Sequence, residues 1–165
     1  MTIYLAADHA GFELKSNLVD FLQKLGYDVL DCGAYTYKKD DDYPRILKKA
    51  AILLLEDVKN HVESYAIVIG GSAQGEAVAM NRFRGIRCGV LYAPDMQLKT
   101  DSSGRDLSVV ESMKVHDNTN ALALASRALN VEDAQTAVSR WLRSNFTHEE
   151  RHVRRIKQID DLPLS

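Results

Sequence analysis

Short β-prone apolar runs alternate with stretches of helical periodicity from the beginning of this chain. Residues 2–7 (TIYLAA) form the first run, and apolar residues at helical spacing follow from Phe12 to Leu25. Gly26 is suited to end this helix as a C-terminal cap, and residues 27–32 (YDVLDC) indicate a second strand. A strand, a helix and a strand in this order predict a βαβ unit with parallel strands.

The same alternation continues to residue 143. Pro44 is placed to open the second helix, because proline is favoured in the first helical turn. The remaining predicted elements are a strand at 65–69, a helix from about 76 to 81, a strand at 86–91, a strand at 121–125 and a helix at 131–143. We therefore predict a single α/β domain with a parallel sheet between two layers of helices.

Two segments depart from this pattern. Residues 94–114 include the polar tract TDSSGRD and are longer than a compact connection requires, so we expect a surface insertion or lid there. Residues 148–165 predict a basic amphipathic helix and a tail. Val153, Ile156 and Ile159 fall on one side of that helix, which favours packing against a partner subunit.

Composition narrows the functional classes. The chain has 165 residues, 45% of them hydrophobic, which is enough to bury a core in one domain. A formal net charge of −2 argues against nucleic acid as a partner. The N-terminal apolar run meets Asp8 and His9 too early for a signal peptide or membrane span. Cys32 and Cys88 have the spacing of neither a zinc site nor a disulfide framework, so a cytoplasmic protein is expected.

Candidate chemistry lies in the loops that follow the first and third predicted strands. Ligands of open parallel sheets bind at the carboxyl ends of the strands, where this chain has Asp8-His9 and the segment Gly70 to Glu76. A glycine-rich loop before a helix exposes backbone N–H groups that can surround a phosphate or an oxyanion. The loop lacks both the Gly-Lys-Ser/Thr ending of a P-loop and the spacing of a dinucleotide site.

Each of these residues also has an ordinary structural explanation. Glu76 is well placed to interact with a helix dipole, and Asp8 and His9 are common turn residues. His116 taken alone favours an ordinary surface histidine, and its position near the end of another predicted strand makes it a candidate acid. The basic cluster from Arg151 to Arg155 could be a solvated helix face or a phosphate site.

Six segments together closely resemble the type B ribose-5-phosphate isomerases and their galactose-6-phosphate isomerase relatives. They are MTIYLAADHAGFELK, DCGAYTYKKDDDYP, IVIGGSAQGEAVAMNR, GIRC, HDNTNALALASR and RHVRRI. The resemblance spans nearly the whole chain. It implies a Rossmann-like three-layer α/β/α sandwich with a five-stranded parallel sheet. It also implies a homodimer, or a tetramer, whose active sites are shared between subunits and need neither metal nor cofactor.

The resemblance assigns roles to individual positions. Glu76 resembles the general base of one branch of the family, and the thiol base of another branch is excluded because this chain has Gly70 in place of the cysteine. His116 resembles the acid that opens the sugar ring, and Ser72, at the loop position that helps hold the substrate, is counted with Glu76 and His116 among the catalytic residues. The expected substrate contacts are Asp8, His9, Tyr43, Gly71, Ser72, Ala73, Gln74, Gly75 and Asp117, with Arg127, Arg151 and Arg155 as phosphate ligands from the partner subunit.

The function implied is interconversion of D-ribose 5-phosphate and D-ribulose 5-phosphate. Asp117 stands where the family usually has asparagine, and together with the long 94–114 segment it leaves other sugar phosphates open: allose 6-phosphate, galactose 6-phosphate or a tetrose phosphate. A sugar-phosphate sensor without turnover is a second possibility. A flavodoxin-like module that binds a nucleotide or a flavin is a third, although the 70–76 loop contains no aromatic residue to support flavin binding.

Overall fold

The computed structural model describes residues 1–93 and 100–162, which form a three-layer α/β/α sandwich. The strands are β1 (Thr2–Ala7), β2 (Asp28–Asp31), β3 (Ser64–Gly70), β4 (Cys88–Leu91) and β5 (Ala121–Ala125). The helices are α1 (Phe12–Lys24), α2 (Tyr43–Lys59), α3 (Gln74–Met80), α4 (Val109–Asp117), α5 (Val131–Arg143) and α6 (Glu150–Asp160). Among these residues no helix is both long and apolar enough to cross a bilayer.

The five strands form one parallel sheet in the order β2-β1-β3-β5-β4. The connection through α1 moves outward from β1 to β2, whereas the connection through α2 returns past β1 to β3. The direction in which successive strands are added to the sheet thus reverses between the parallel neighbours β1 and β3. The carboxyl ends of these two strands border the crevice where doubly wound sheets bind ligands.

Two hydrophobic cores cover the two faces of the sheet. Alternate side chains of β1 belong to different cores. Ile3 and Leu5 pack with α1 and α5, while Tyr4 and Ala6 pack with α2 and α3. Strands β3 and β5 have side chains in both cores, so their sequences are apolar at almost every position. This burial explains why YAIVI and ALALA are continuous apolar runs.

The sequence predictions of these elements are confirmed, with one important omission. The positive φ of Gly26 (86°) ends α1, and Pro44 lies in the first turn of α2, as predicted. The prediction that residues 94–114 are only an insertion or lid is wrong for residues 109–114, which belong to α4. Ser108 caps α4 in a reciprocal capping box with Glu111, and residues 94–99 lie outside the described part of the chain.

Candidate functional site

A cavity of about 260 Å³ lies at the crevice between the carboxyl ends of β1 and β3. Four segments supply its walls: the turn after β1, the glycine-rich loop and first turn of α3 after β3, the beginning of α2, and the turn after β5. The lining residues are Asp8, His9, Ala10, Tyr43, Gly71, Ser72, Gly75, Glu76 and Arg127. Fold topology therefore brings together residues that are up to 119 positions apart in sequence, counting from Asp8 to Arg127.

Glu76 is held in the first turn of α3 with its carboxylate packed on the backbone of Gly70. A Cβ atom at Gly70 would lie 2.0 Å from Glu76 Oε1 and 2.2 Å from its Cδ. Only 4% of Glu76 is exposed, and burial raises its pKa. The negative charge of Asp8 raises that pKa further, while the backbone N–H of Glu76 acts in the opposite direction.

Gly71, in the loop after β3, and Gly75, in the first turn of α3, pack closely against neighbouring side chains. A Cβ at Gly71 would lie 3.1 Å from the guanidinium of Arg127, and one at Gly75 would lie 2.6 Å from the hydroxyl oxygen of Tyr43. In the described part of the chain, no acceptor takes a hydrogen bond from the backbone N–H groups of residues 71–73. The loop can thus offer those donors, with a cation and a phenol beside them, to an oxygen-rich anion.

The turn after β1 is held by Asp8, which accepts hydrogen bonds from the backbone N–H groups of Ala10 (3.0 Å) and Gly11 (3.2 Å). Asp41 accepts a hydrogen bond from the backbone N–H of His9 at 3.0 Å and lies 2.8 Å from its ring Nδ1. One ligand atom each from Asp8, His9 and Asp41 lies within 4.8 Å of the others, so these three could hold a metal ion.

A second cavity, of about 540 Å³, lies between α4, α6 and the start of β4. His116, Asp117, His152 and Arg155 bring polar groups to it, and Met113, Ile156 and Ile159 bring apolar surface. The rings of His116 and His152 are 4.7 Å apart. Burial lowers the pKa of His152, and the neighbouring His116 lowers it further.

The partners of His116 and Arg151 lie within the chain itself. His116 Nδ1 is 3.1 Å from Ser112 Oγ, and its Nε2 is 3.0 Å from Asp101 Oδ2. Arg151 donates to the hydroxyl groups of Ser102 and Ser103 and lies 2.9 Å from a carboxylate oxygen of Glu149. Both side chains are therefore attached to the loop that precedes α4.

The structure thus divides the predicted site residues into two groups. Glu76 and most of the expected sugar contacts line the first cavity, whereas His116, Asp117 and Arg155 line the second, and no residue of the described ranges lines both. Arg151 lines neither cavity. Arg127 was expected from a partner subunit, yet it lines the Glu76 cavity of its own chain because the carbonyl of Gly71 accepts a hydrogen bond from its backbone N–H. Ala73 is buried in a core and Gln74 is exposed, so their side chains line neither cavity.

Sequence reasoning missed Asp41, Asp101 and His152. For Asp41 a signal existed, because the run Asp40-Asp41-Asp42 directly precedes Tyr43-Pro44. The pairing of Asp101 with His116 had no such signal, since the two residues are 15 positions apart and joined by irregular chain and a helix.

Comparison with known proteins gives consistent results over the whole chain. The ribose-5-phosphate isomerase B of Mycobacterium tuberculosis is 33% identical over 156 residues, covering 94% of this chain and 86% of that protein. The crystal structure of a ribose 5-phosphate isomerase from Thermotoga maritima matches with a TM-score of 0.81 and 33% identity, over 98% of both chains. The Mycoplasma genitalium ribose-5-phosphate isomerase B, solved with bound ribulose-5-phosphate, has a TM-score of 0.79 and 28% identity and covers 96% of this chain and 93% of that one.

The sequence profile of the Ribose/Galactose Isomerase family matches residues 3–159, which include both cavities and all the site residues described above. The chain belongs to the Ribose/Galactose Isomerase family.

Proposed function

We propose that this protein interconverts D-ribose 5-phosphate and D-ribulose 5-phosphate through a cis-enediolate, with Glu76 as the base that transfers the proton. The buried carboxylate of Glu76 against Gly70 is the observation that carries this proposal. Gly71 and Ser72, whose backbone N–H groups have no acceptor in the described chain, line the same cavity. A base and oxyanion donors around one cavity are the two requirements of enediolate chemistry.

Glu76 removes the proton from C2 of the open-chain aldose, and the electron pair forms the C1–C2 double bond while negative charge moves to O1. The same carboxyl group then delivers a proton to C1, and the hydroxyl proton on O2 moves to O1 to leave the ketose. The raised pKa of Glu76 favours both steps, because a base with a pKa nearer the working pH accepts and returns a proton more readily. The N–H groups of residues 71–73 stabilise the charge on the oxygen.

Substrate binding requires both cavities. We assign ring opening to His116 and phosphate binding to Arg127, Arg151 and Arg155, with Asp8, His9, Tyr43 and Ser72 around the sugar. All of these except Arg151 line one of the two cavities, and Arg151 lies on α6 with Arg155. The charged groups divide between the cavities, so we infer a homodimer in which the second cavity of one subunit faces the Glu76 cavity of the other. The C-terminal segment, of which residues 148–162 are described, then docks on the partner through α6.

The choice of sugar depends on groups in the second cavity. Asp117 lies there beside His116 and places a carboxylate, which can only accept hydrogen bonds when ionised, near the substrate hydroxyls. Six-carbon and four-carbon sugar phosphates are therefore the alternative substrates to test.

We also place the protein in the cytoplasm, because Cys32 and Cys88 are both free thiols, as a reducing compartment favours. Burial raises the pKa values of these two thiols to about 11 and about 12. Such thiols are poor nucleophiles, so neither cysteine competes with Glu76 as the base.

The test is conversion of D-ribose 5-phosphate to ribulose 5-phosphate by the purified protein in the presence of a chelator, with Glu76→Gln alongside. We expect turnover by the natural sequence and a loss of about 100-fold or more in kcat for Glu76→Gln, with KM little changed. Full activity of Glu76→Gln would remove Glu76 from the base role. Binding of the sugar phosphate without any product would instead indicate a sensor.

A further inference from the structure

The loop of residues 100–106, hereafter the strap, holds two of the groups that the proposed function assigns to the substrate. Asp101 in the strap lies 3.0 Å from His116 Nε2, and Ser102 and Ser103 accept hydrogen bonds from Arg151. Since Ser112 on the same helix faces Nδ1, Nε2 is the ring nitrogen of His116 that points away from its own helix. Asp101 thus lies at the nitrogen through which His116 would reach a sugar oxygen.

The strap is tied down by a charge network rather than by one contact. Arg105 is 3.0 Å from Asp101 Oδ2 and 2.7 Å from Glu149 Oε1, and the other carboxylate oxygen of Glu149 is 2.9 Å from Arg151. Asp101 also accepts hydrogen bonds from the backbone N–H groups of Ser103 (2.7 Å) and Arg105 (3.0 Å), which fold the strap into a turn. Within this network the carboxylates of Asp101 and Glu149 contact His116 and Arg151, the two groups that the proposed function assigns to an anionic substrate.

We propose that the strap is an autoinhibitory latch: in the unliganded chain Asp101 and its neighbours close over His116 and Arg151, and an anionic substrate must displace them to bind. This inference rests on the proposed roles of His116 and Arg151. A binding-competent state that is populated one-tenth of the time weakens apparent affinity about tenfold, so a closed strap raises KM without changing the chemical step.

The latch predicts that weakening the strap contacts changes KM but leaves kcat unchanged. In Asp101→Asn the side chain keeps its shape but loses its negative charge, which weakens its attraction to His116 and Arg105. We expect KM for D-ribose 5-phosphate to fall about tenfold with kcat unchanged, since the open state becomes dominant. Asp106→Asn is the matched control, because Asp106 carries the same charge in the same loop and contacts Thr100 instead of His116. Arg105→Gln weakens the network from its other side and should lower KM in the same way.

Two measurements test the strap without turnover. Calorimetry with inorganic phosphate should show a lower Kd for Asp101→Asn than for Asp106→Asn. Trypsin should cut after Arg105 faster when phosphate is present, because the Arg105 side chain is released from Asp101 and Glu149 as the strap opens. If the natural sequence does not turn over ribose 5-phosphate, the proposed function fails, whereas these two measurements still decide the latch.

Two results would overturn the latch. A fall in kcat with unchanged KM in Asp101→Asn would show that Asp101 positions His116 for the reaction. Unchanged kinetics and unchanged phosphate affinity in both Asp101→Asn and Arg105→Gln would show that the network does not oppose binding at all.

Discussion

Gly70 and Glu76 share one volume at the carboxyl end of β3. The space that a side chain at residue 70 would occupy is filled by the carboxylate of Glu76, which a Cβ would approach to 2.0 Å. The glycine is therefore required by the glutamate next to it rather than by its own backbone. A family member with a functional side chain at this position cannot also have the Glu76 carboxylate where this chain holds it.

Substituting Gly70 with alanine tests this complementarity. We expect Gly70→Ala to displace the carboxylate, to lower kcat strongly and to cost about 1–3 kcal/mol of folding free energy from overpacking. In the Glu76→Ala background the methyl group has room, so the same substitution should cost much less stability. Urea unfolding of the four proteins gives the coupling energy, and a coupling near zero would contradict the shared volume.

The environment of Glu76 also predicts a pH dependence. The base acts when deprotonated, so kcat/KM should rise with pH through the raised pKa of Glu76, above the usual range of a glutamate. Because the charge of Asp8 contributes to that raised pKa, Asp8→Asn should move the rise to lower pH. The pH profile of kcat/KM measures this, and a rise that stays in place or moves to higher pH would contradict it.

At the scale of elements, α4 carries a buried lysine between the sheet and α5. Lys114 is 4% exposed, donates to the backbone carbonyl of Thr119 at 3.0 Å, and lies 3.6 Å from the centre of the Tyr65 ring. Burial lowers its pKa to about 7. The Tyr65 ring favours the charged form, but the cost of burial outweighs it.

The depressed pKa of Lys114 makes stability depend on pH. Between about pH 7 and pH 10 the unfolded chain binds a proton at this lysine that the folded chain does not bind, so stability should increase as pH rises. Lys114→Met removes this dependence and should stabilise the protein at pH 7 by an amount on the order of a few kcal/mol. Urea unfolding at pH 7 and pH 9 checks it; equal pH dependence in the variant and the natural sequence would refute it.

The same helix shows where prediction from sequence stops. Strands β1 and β5 and helix α5 have the predicted bounds, since burial on both sides or a strong amphipathic pattern marks them. Helix α4 was missed although Ser108-Val109-Val110-Glu111 has the capping-box spacing, because its nine residues follow a polar loop and show a weak apolar stripe. Site residues that follow strand ends were predictable from topology, whereas Asp101 reaches His116 through a turn of irregular chain that no periodicity describes.

At the scale of the molecule, the described chain leaves an apolar surface on α6 uncovered. Val153 is 45% exposed and Ile159 is 57% exposed. Ile159 lines the second cavity together with Ile156. An amphipathic helix usually buries such a stripe. In the proposed homodimer this surface docks on a second copy, with Arg155 and His116 facing the Glu76 cavity of that copy.

Mixed dimers test the sharing of sites directly. Glu76→Gln and Arg155→Ala each damage one half of every composite site, so each homodimer should be nearly inactive, the first through kcat and the second through a strongly raised KM. A heterodimer of the two carries both defects in one site and neither in the other. After unfolding and refolding of an equal mixture, half of the dimers are heterodimers with one intact site, so activity should return to about a quarter of that of the natural sequence.

Glu76→Gln refolded with an equal amount of Gly70→Ala is the control, because both changes lie in the same half-site and no intact site can form. Recovery in the first mixture and none in the second would establish that Glu76 and Arg155 act across a subunit boundary. No recovery in either mixture, with the dimers shown to have exchanged, would mean that each subunit builds its site alone and that the exposed stripe on α6 serves another contact.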